Sequence, residues 1–226
     1  MYTNYYIYMI PAFILMFIAQ WYVSSAYKKW SRIPNQKRIS GSDAARQLIN
    51  SAGIYDVRVE QVQGRLTDHY DPRKKILRLS PQVAQEPSVS SLAIAAHELG
   101  HAQQDQEGYF PLRLRSAMVP LVNIGSYLGW ILIFLGILIN LLDLSYLGLI
   151  IFSGGAIFAL LTLPVEINAS NRAKQMLSTS GLIYTEEEQR GVNRVLNAAA
   201  LTYVAGLVTA IMQLLYFASM ITGRRR

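Results

Sequence analysis

Four stretches of the chain are apolar for about the length that crosses a bilayer: residues 5–23, 119–139, 144–163 and roughly 198–221. Each predicts a transmembrane helix. The first carries Tyr2, Tyr5, Tyr6 and Tyr8 at one end and Trp21 and Tyr22 at the other, as interfacial aromatics should be placed. No basic segment precedes it, so it reads as an uncleaved anchor rather than a signal peptide. The second and third are separated only by Asn140-Leu141-Leu142-Asp143, which makes them a hairpin that returns the chain to the side it left.

Between the first two spans the pattern becomes polar and its periods short. Ser42-Asp43 is read as the cap of a helix over 44–51 that ends at Gly53, and Asp56-Val57-Arg58-Val59-Glu60 alternates like a strand. Residues 66–70 and 75–79 predict two further strands joined by the turn Asp71-Pro72-Arg73-Lys74, with 75–79 expected at the sheet edge. A helix capped by Ser88 or Ser90 follows. A second polar stretch, 166–197, opens on a predicted helix start just after Pro164. The expected organisation is a membrane helix (1–27), a soluble core (28–115), a membrane hairpin (116–165), a cytoplasmic segment (166–197), and a last span with a basic tail (198–226).

Composition agrees with the hydropathy pattern. With 52% hydrophobic and 15% charged residues among 226, the chain is too apolar for an ordinary soluble domain. There is no cysteine, which excludes disulfides and thiolate metal sites and leaves histidines and carboxylates as the available ligands. The net charge of +7 forms no basic stripe of the kind that binds nucleic acid, and topology explains it better. Fourteen Lys and Arg lie in 28–115 and four in 166–197, with none before Lys28 and none in the hairpin link. By the positive-inside rule these polar parts face the cytoplasm, giving a multi-pass protein of the inner (plasma) membrane. Four spans put Arg224, Arg225 and Arg226 outside; the 18 other basic residues outweigh that signal, and a re-entrant last segment is the alternative.

The chemistry is concentrated in His97-Glu98-Leu99-Gly100-His101. On a helix His97 and His101 are one turn apart on one face, so both imidazoles can reach one zinc ion while Glu98 stands beside it. A catalytic zinc site keeps one position for water and needs a neighbouring base, for which Glu98 is the candidate. A third protein ligand is required. Glu166 is preferred because a carboxylate from a second helix can complete a tetrahedron, with His69, Asp105 and Glu107 as the alternatives. His69 and Tyr70 are also candidates for stabilising an oxyanion, and Arg78 either meets a substrate carboxylate or lies in solvent.

At these residues the chain resembles the YugP-type neutral zinc metallopeptidases of bacterial membranes. The likeness lies in Leu66-Thr67-Asp68-His69-Tyr70-Asp71-Pro72, Leu77-Arg78-Leu79-Ser80, Ala95 through Gln104, Tyr109 to Arg113, and onward to Glu166. More distantly it is similar to HtpX-like and CAAX prenyl endopeptidases, in which a Glu-x-x-Ala-Asp helix supplies the third ligand. Glu166 and Ala169 match that pattern, but Ser170 stands where those proteases have Asp, which leaves the partner of a zinc histidine open, with Asn171, Asn168 or Asp105 able to take over. The resemblance implies an integral-membrane metallopeptidase and names no substrate.

The expected fold is an α+β minigluzincin-like domain on about four membrane helices. The expected function is hydrolysis of peptide bonds in membrane or membrane-proximal proteins, with Zn²⁺ on His97, His101 and Glu166 and Glu98 as base. A membrane protein partner or an oligomer would fit this setting. The competing reading is a non-catalytic, zinc-stabilised scaffold or adaptor of a larger protease complex.

Overall fold

The computed structural model describes residues 2–223, with side chains described from Tyr5 to Gly223. The Tyr2 side chain and the tail Arg224-Arg225-Arg226 lie outside the described residues. The described chain is mostly helical: α1 (Tyr2–Trp30), α2 (Gly41–Ala52), β1 (Arg58–Gln61), β2 (His69–Asp71), β3 (Ile76–Leu79), α3 (Pro81–Gln85), α4 (Val89–Gln106), α5 (Phe110–Leu138), α6 (Leu142–Thr179) and α7 (Glu186–Thr222). Four of these, α1, α5, α6 and α7, are long and apolar enough to cross a membrane. Contacts divide the chain into two units, one of residues 1–20, 113–164 and 201–226, the other of 21–112 and 165–200.

The first unit is the apolar one. Its buried centre is Ile133, Ile137, Phe217 and Ile221, with Phe152 edge-on to Phe217 at 5.1 Å. Phe13, Phe17, Leu121, Ile124 and Tyr127 are exposed, the outward apolar surface that suits lipid rather than water.

The second unit builds its own hydrophobic core, largely from short elements. Ser40, not Ser42 or Asp43, caps α2: its Oγ accepts the Asp43 N–H at 3.1 Å and donates to Asp43 Oδ2 at 2.7 Å, so Asp43 acts from the first turn. Gly53 closes α2 at φ +68°, where a residue without Cβ is unstrained. The sheet order is β1-β3-β2, with β1 parallel and β2 antiparallel to β3. The strand over 75–79 is therefore central, not an edge. Its burial explains this: Ile76, Leu77 and Leu79 are all in the core, whereas β1 and β2 are largely exposed or half-buried. Leu48, Leu77, Leu79, Leu92, Leu99, Leu177 and Leu196 form the centre of this unit.

Pro164 does not begin a new helix. It lies inside α6, which runs 38 residues without a break. A proline costs one helical hydrogen bond and crowds the turn before it, yet Val165, Ala169 and Ala173 beyond it are fully buried and hold the helix on course. At 1.5 Å per residue α6 is about 57 Å long, nearly twice the ~30 Å of hydrocarbon, and its apolar part 144–163 accounts for the span. Glu166 comes just after it.

α7 is anchored by a capping box that the sequence reading passed over. Thr185 Oγ1 accepts the Glu188 N–H at 3.1 Å, and Glu188 Oε2 accepts the N–H groups of Thr185 and Tyr184 at 3.1 and 2.9 Å. The other Glu188 oxygen accepts the Gln36 N–H at 2.8 Å, tying the segment after α1 to α7. Burial alone would raise the Glu188 carboxyl, but these N–H donors hold it below the usual carboxylate range. A depressed carboxyl stabilises the fold above its unfolded value of about 4.3 and loses that contribution as pH falls through its folded value. Glu188→Ala should destabilise the protein by about 2–4 kcal/mol at neutral pH by orphaning three N–H groups. Thermal unfolding in detergent should show this gap narrowing as the pH is lowered below about 4; a gap that did not change with pH would refute the role of the charge.

Candidate metal centre

α4 starts where Ser88 Oγ accepts the Ser91 N–H at 3.1 Å, and it carries His97, His101 and Gln104 along one stripe at i, i+4 and i+7. Small residues surround that stripe. Gly100 faces Ala169 of α6 so closely that a Cβ there would collide with the Ala169 carbonyl oxygen and stand 3.0 Å from its carbon. Backbone-to-backbone contact of this kind brings the Glu166 side chain to the two imidazoles.

The ligand atoms converge. Glu166 Oε2 lies 3.2 Å from His97 Nε2 and 3.5 Å from His101 Nε2, and the three ligand atoms lie within 4.8 Å of one another. Ligands about 2.0–2.1 Å from a tetrahedral ion stand about 3.3–3.4 Å apart, so these separations fit a single ion such as zinc. Two imidazoles and one carboxylate also leave one vertex for water. Glu166 is 2% exposed, and such a buried charge requires partners. Burial raises its carboxyl, but the hydrogen bonds to His101 and His97 reverse this and hold it far below the usual range. For His101, burial pulls the imidazole down, and Glu166 and Glu98 more than restore it.

The outer nitrogens are held as well. His101 Nδ1 meets Gln104 Oε1 at 3.0 Å, and the Gln104 amide donates to Val165 O at 2.9 Å and Asn168 Oδ1 at 2.8 Å. With both N–H groups so used, the Gln104 oxygen must accept, so His101 carries a proton on Nδ1 and its Nε2, which faces Glu166, is the nitrogen that could serve as a ligand. His97 Nδ1 lies 3.2 Å from Ser170 Oγ. Ser170 is thus the partner at His97 Nδ1, and neither Asn171 nor Asp105 takes that place; Asn168 acts one step removed, through Gln104. The sequence reading missed Gln104, although a polar residue at i+7 on the histidine stripe was the signal.

Glu98 is oriented by β2, whose Tyr70 N–H donates to Glu98 Oε2 at 3.1 Å. Burial raises the Glu98 carboxyl, Glu166 and Asp68 reinforce the shift, and His97 and His101 oppose it. The other sequence candidates have other partners. Asp105 accepts from the Tyr70 hydroxyl at 2.9 Å and from Lys75 Nζ at 2.6 Å, and burial together with Asp105 pushes the Tyr70 phenol well up. Glu107 is clamped by both terminal nitrogens of Arg172 at 2.7 Å. His69 is exposed, with Nδ1 2.8 Å from Thr67 O and Nε2 3.3 Å from Arg78, and Arg78 also pairs with Asp71 at 3.2 Å. Asp68 accepts from the Ser80 N–H and hydroxyl, fixing the end of β3.

A family model described as "Putative neutral zinc metallopeptidase" matches residues 5–222. The chain is 46% identical over 208 residues to "Putative membrane protease YugP" of Bacillus subtilis (strain 168), covering 92% of each chain. No solved structure matches.

The packing of α4 on α6 makes a prediction. Gly100→Ala should force the helices apart and cost about 1–3 kcal/mol, whereas Gly206→Ala, whose Cβ would meet nothing within 4 Å, should leave the unfolding midpoint in detergent nearly unchanged. Equal midpoints for the two variants would mean that the Gly100 contact is not tight.

Proposed function

We propose that the chain, which belongs to the family described as "Putative neutral zinc metallopeptidase", is a zinc-dependent endopeptidase of the membrane that cuts membrane or membrane-proximal proteins. The observation that carries this reading is the convergence of His97 Nε2, His101 Nε2 and Glu166 Oε2 beside the Glu98 carboxylate. His97, His101 and Glu166 would hold the zinc. When bound, zinc acidifies a water and polarises a carbonyl, which makes hydrolysis practicable at neutral pH.

The protein's own groups supply the proton traffic and the positioning. Glu98 Oε2 is fixed by the Tyr70 N–H, which leaves Oε1 to accept the water's proton and later deliver it to the leaving amine. Gln104 and Ser170 keep the imidazole rings facing inward, and the Glu166 carboxylate would offset part of the charge of a bound ion. β2 is the sheet edge next to Glu98, so an extended substrate would add along β2 through its backbone. His69 and Tyr70 remain the candidates for stabilising the carbonyl oxygen, and each would have to leave a partner: Arg78 for His69, Asp105 for Tyr70.

Glu98→Gln keeps the shape but cannot accept a proton, so it should retain zinc and lose casein hydrolysis in detergent by about 10²–10⁴-fold. Glu166→Ala should lose zinc after dialysis against a mild chelator. Full activity in the first variant, or full zinc in the second, would contradict the assignment.

The orientation follows from the charge asymmetry: the metal-bearing part faces the cytoplasm and the Asn140–Asp143 link the outside. In this cysteine-free chain, Asp143→Cys should react with an impermeant maleimide on intact cells and Gln47→Cys only after lysis. Ser145 is no use as a reporter because it is fully buried. The reverse labelling pattern would invert the topology.

A further inference from the structure

α1 passes from apolar to polar sequence along its length and α7 from polar to apolar, and residues at the two changes line one groove of about 680 Å³. Small-molecule sites span roughly 300–1,000 Å³. Trp21, Tyr22, Lys29 and Trp30 of α1 face Arg190 and Arg194 of α7, and no residue of the metal centre lines it. Gly191 makes the approach of the helices feasible: a Cβ there would come within 2.5 Å of the Trp30 ring.

The groove's cations are poorly neutralised by the protein. Glu187 is the lining carboxylate, and Arg190 has only a loose, exposed contact to Glu186 at 3.8 Å, of the kind worth little. Among the described residues Lys29 and Arg194 have no carboxylate partner. Instead Lys29 lies 5.0 Å over the Trp30 ring and Arg194 4.7 Å over Tyr22. Cation–π contact of this kind positions a cation without neutralising it. The Trp30 indole N–H is buried with no acceptor among the described residues.

The groove also spans the change from apolar to polar sequence, with Tyr22 and Arg194 towards one end and Trp30 and Lys29 towards the other. Trp21 and Tyr22 follow the apolar run of α1 directly, and Trp21 is 64% exposed. Lys29 stands eight residues further along, about 12 Å down the axis. Aromatics beside the apolar run, with one cation stacked on them and others further into the polar sequence, match a phospholipid, whose glycerol region lies next to its phosphate.

We propose that this groove binds the head group of an anionic phospholipid, with Arg190 and Arg194 on the phosphate, Lys29 at the polar end of the groove and Trp21 and Tyr22 flanking the glycerol end. A soluble phosphate would use the same cations but has no need of the aromatic end.

The test uses the full chain purified in a neutral detergent. Phosphatidylglycerol, phosphatidylcholine and inorganic phosphate are titrated in turn, and bound molecules are counted by native mass spectrometry. The parent should bind phosphatidylglycerol at least tenfold more tightly than phosphatidylcholine and should retain no phosphate. Lys29→Gln combined with Arg190→Gln and Arg194→Gln should lose at least tenfold in phosphatidylglycerol affinity while keeping its zinc content. Arg73→Gln with Lys74→Gln, which removes two exposed cations from the β2–β3 turn, should bind as the parent does. Equal binding of the two lipids by the parent overturns the proposal even if the triple variant fails to fold. Unchanged affinity in the triple variant, or an equal loss in the Arg73 and Lys74 control, overturns it too. Inorganic phosphate that binds as well as the lipid would make this a soluble-anion site and overturn the lipid assignment.

Discussion

The contact between Gly100 and Ala169 is the constraint on which the metal centre depends. His97 and His101 lie on a helix that is well packed without any metal, and the third ligand candidate lies 65 residues beyond His101. Only a backbone approach too close for any Cβ lets the short Glu166 side chain reach both Nε2 atoms. The same approach places Val165 O, Asn168 and Ser170 within reach of Gln104 and His97, so one packing event sets both the ligand atoms and the groups that orient them. Arg172 strengthens the pairing by bonding Glu107 at the end of α4 and Asn168 on its own helix.

Much of this could be read from residue order, and the failures have physical causes. Hydropathy located the four apolar segments because transfer into hydrocarbon dominates at that length. It did not locate the helix ends: α1, α6 and α7 extend into polar sequence, where packing in the core of the second unit holds them helical. Pro164 looked like a boundary because propensity treats proline as a stop, but burial of Val165 and Ala169 outweighed one lost hydrogen bond. Three strands were expected, one from alternation and two from the turn between them, and β2 begins three residues later than expected, at His69. Their order was not, because pairing β1 to β3 across an intervening strand is a tertiary choice that no local pattern encodes.

The site followed the same division. His97, Glu98 and His101 are close in sequence, so helical spacing alone relates them. Glu166 was chosen from several carboxylates on ligand chemistry and the return of the hairpin. Gln104 went unnoticed because a buried amide has no signature until its acceptors, Val165 O and Asn168, are brought to it by the second helix. The Glu98 carboxylate likewise owes its orientation to a backbone N–H of Tyr70, a group present in nearly every residue and so invisible to motif reading.

The central claim is that one zinc ion sits between α4 and α6 with one coordination position left for water. Anomalous scattering at the zinc edge from crystals of the metal-loaded protein measures this directly. The account predicts a single ion about 2.0–2.2 Å from His97 Nε2, His101 Nε2 and a Glu166 oxygen, with a solvent molecule as fourth ligand hydrogen-bonded to Glu98. An ion closed by four protein ligands would make the site structural, and one bound through His69, Asp105 or Glu107 instead of Glu166 would contradict the account.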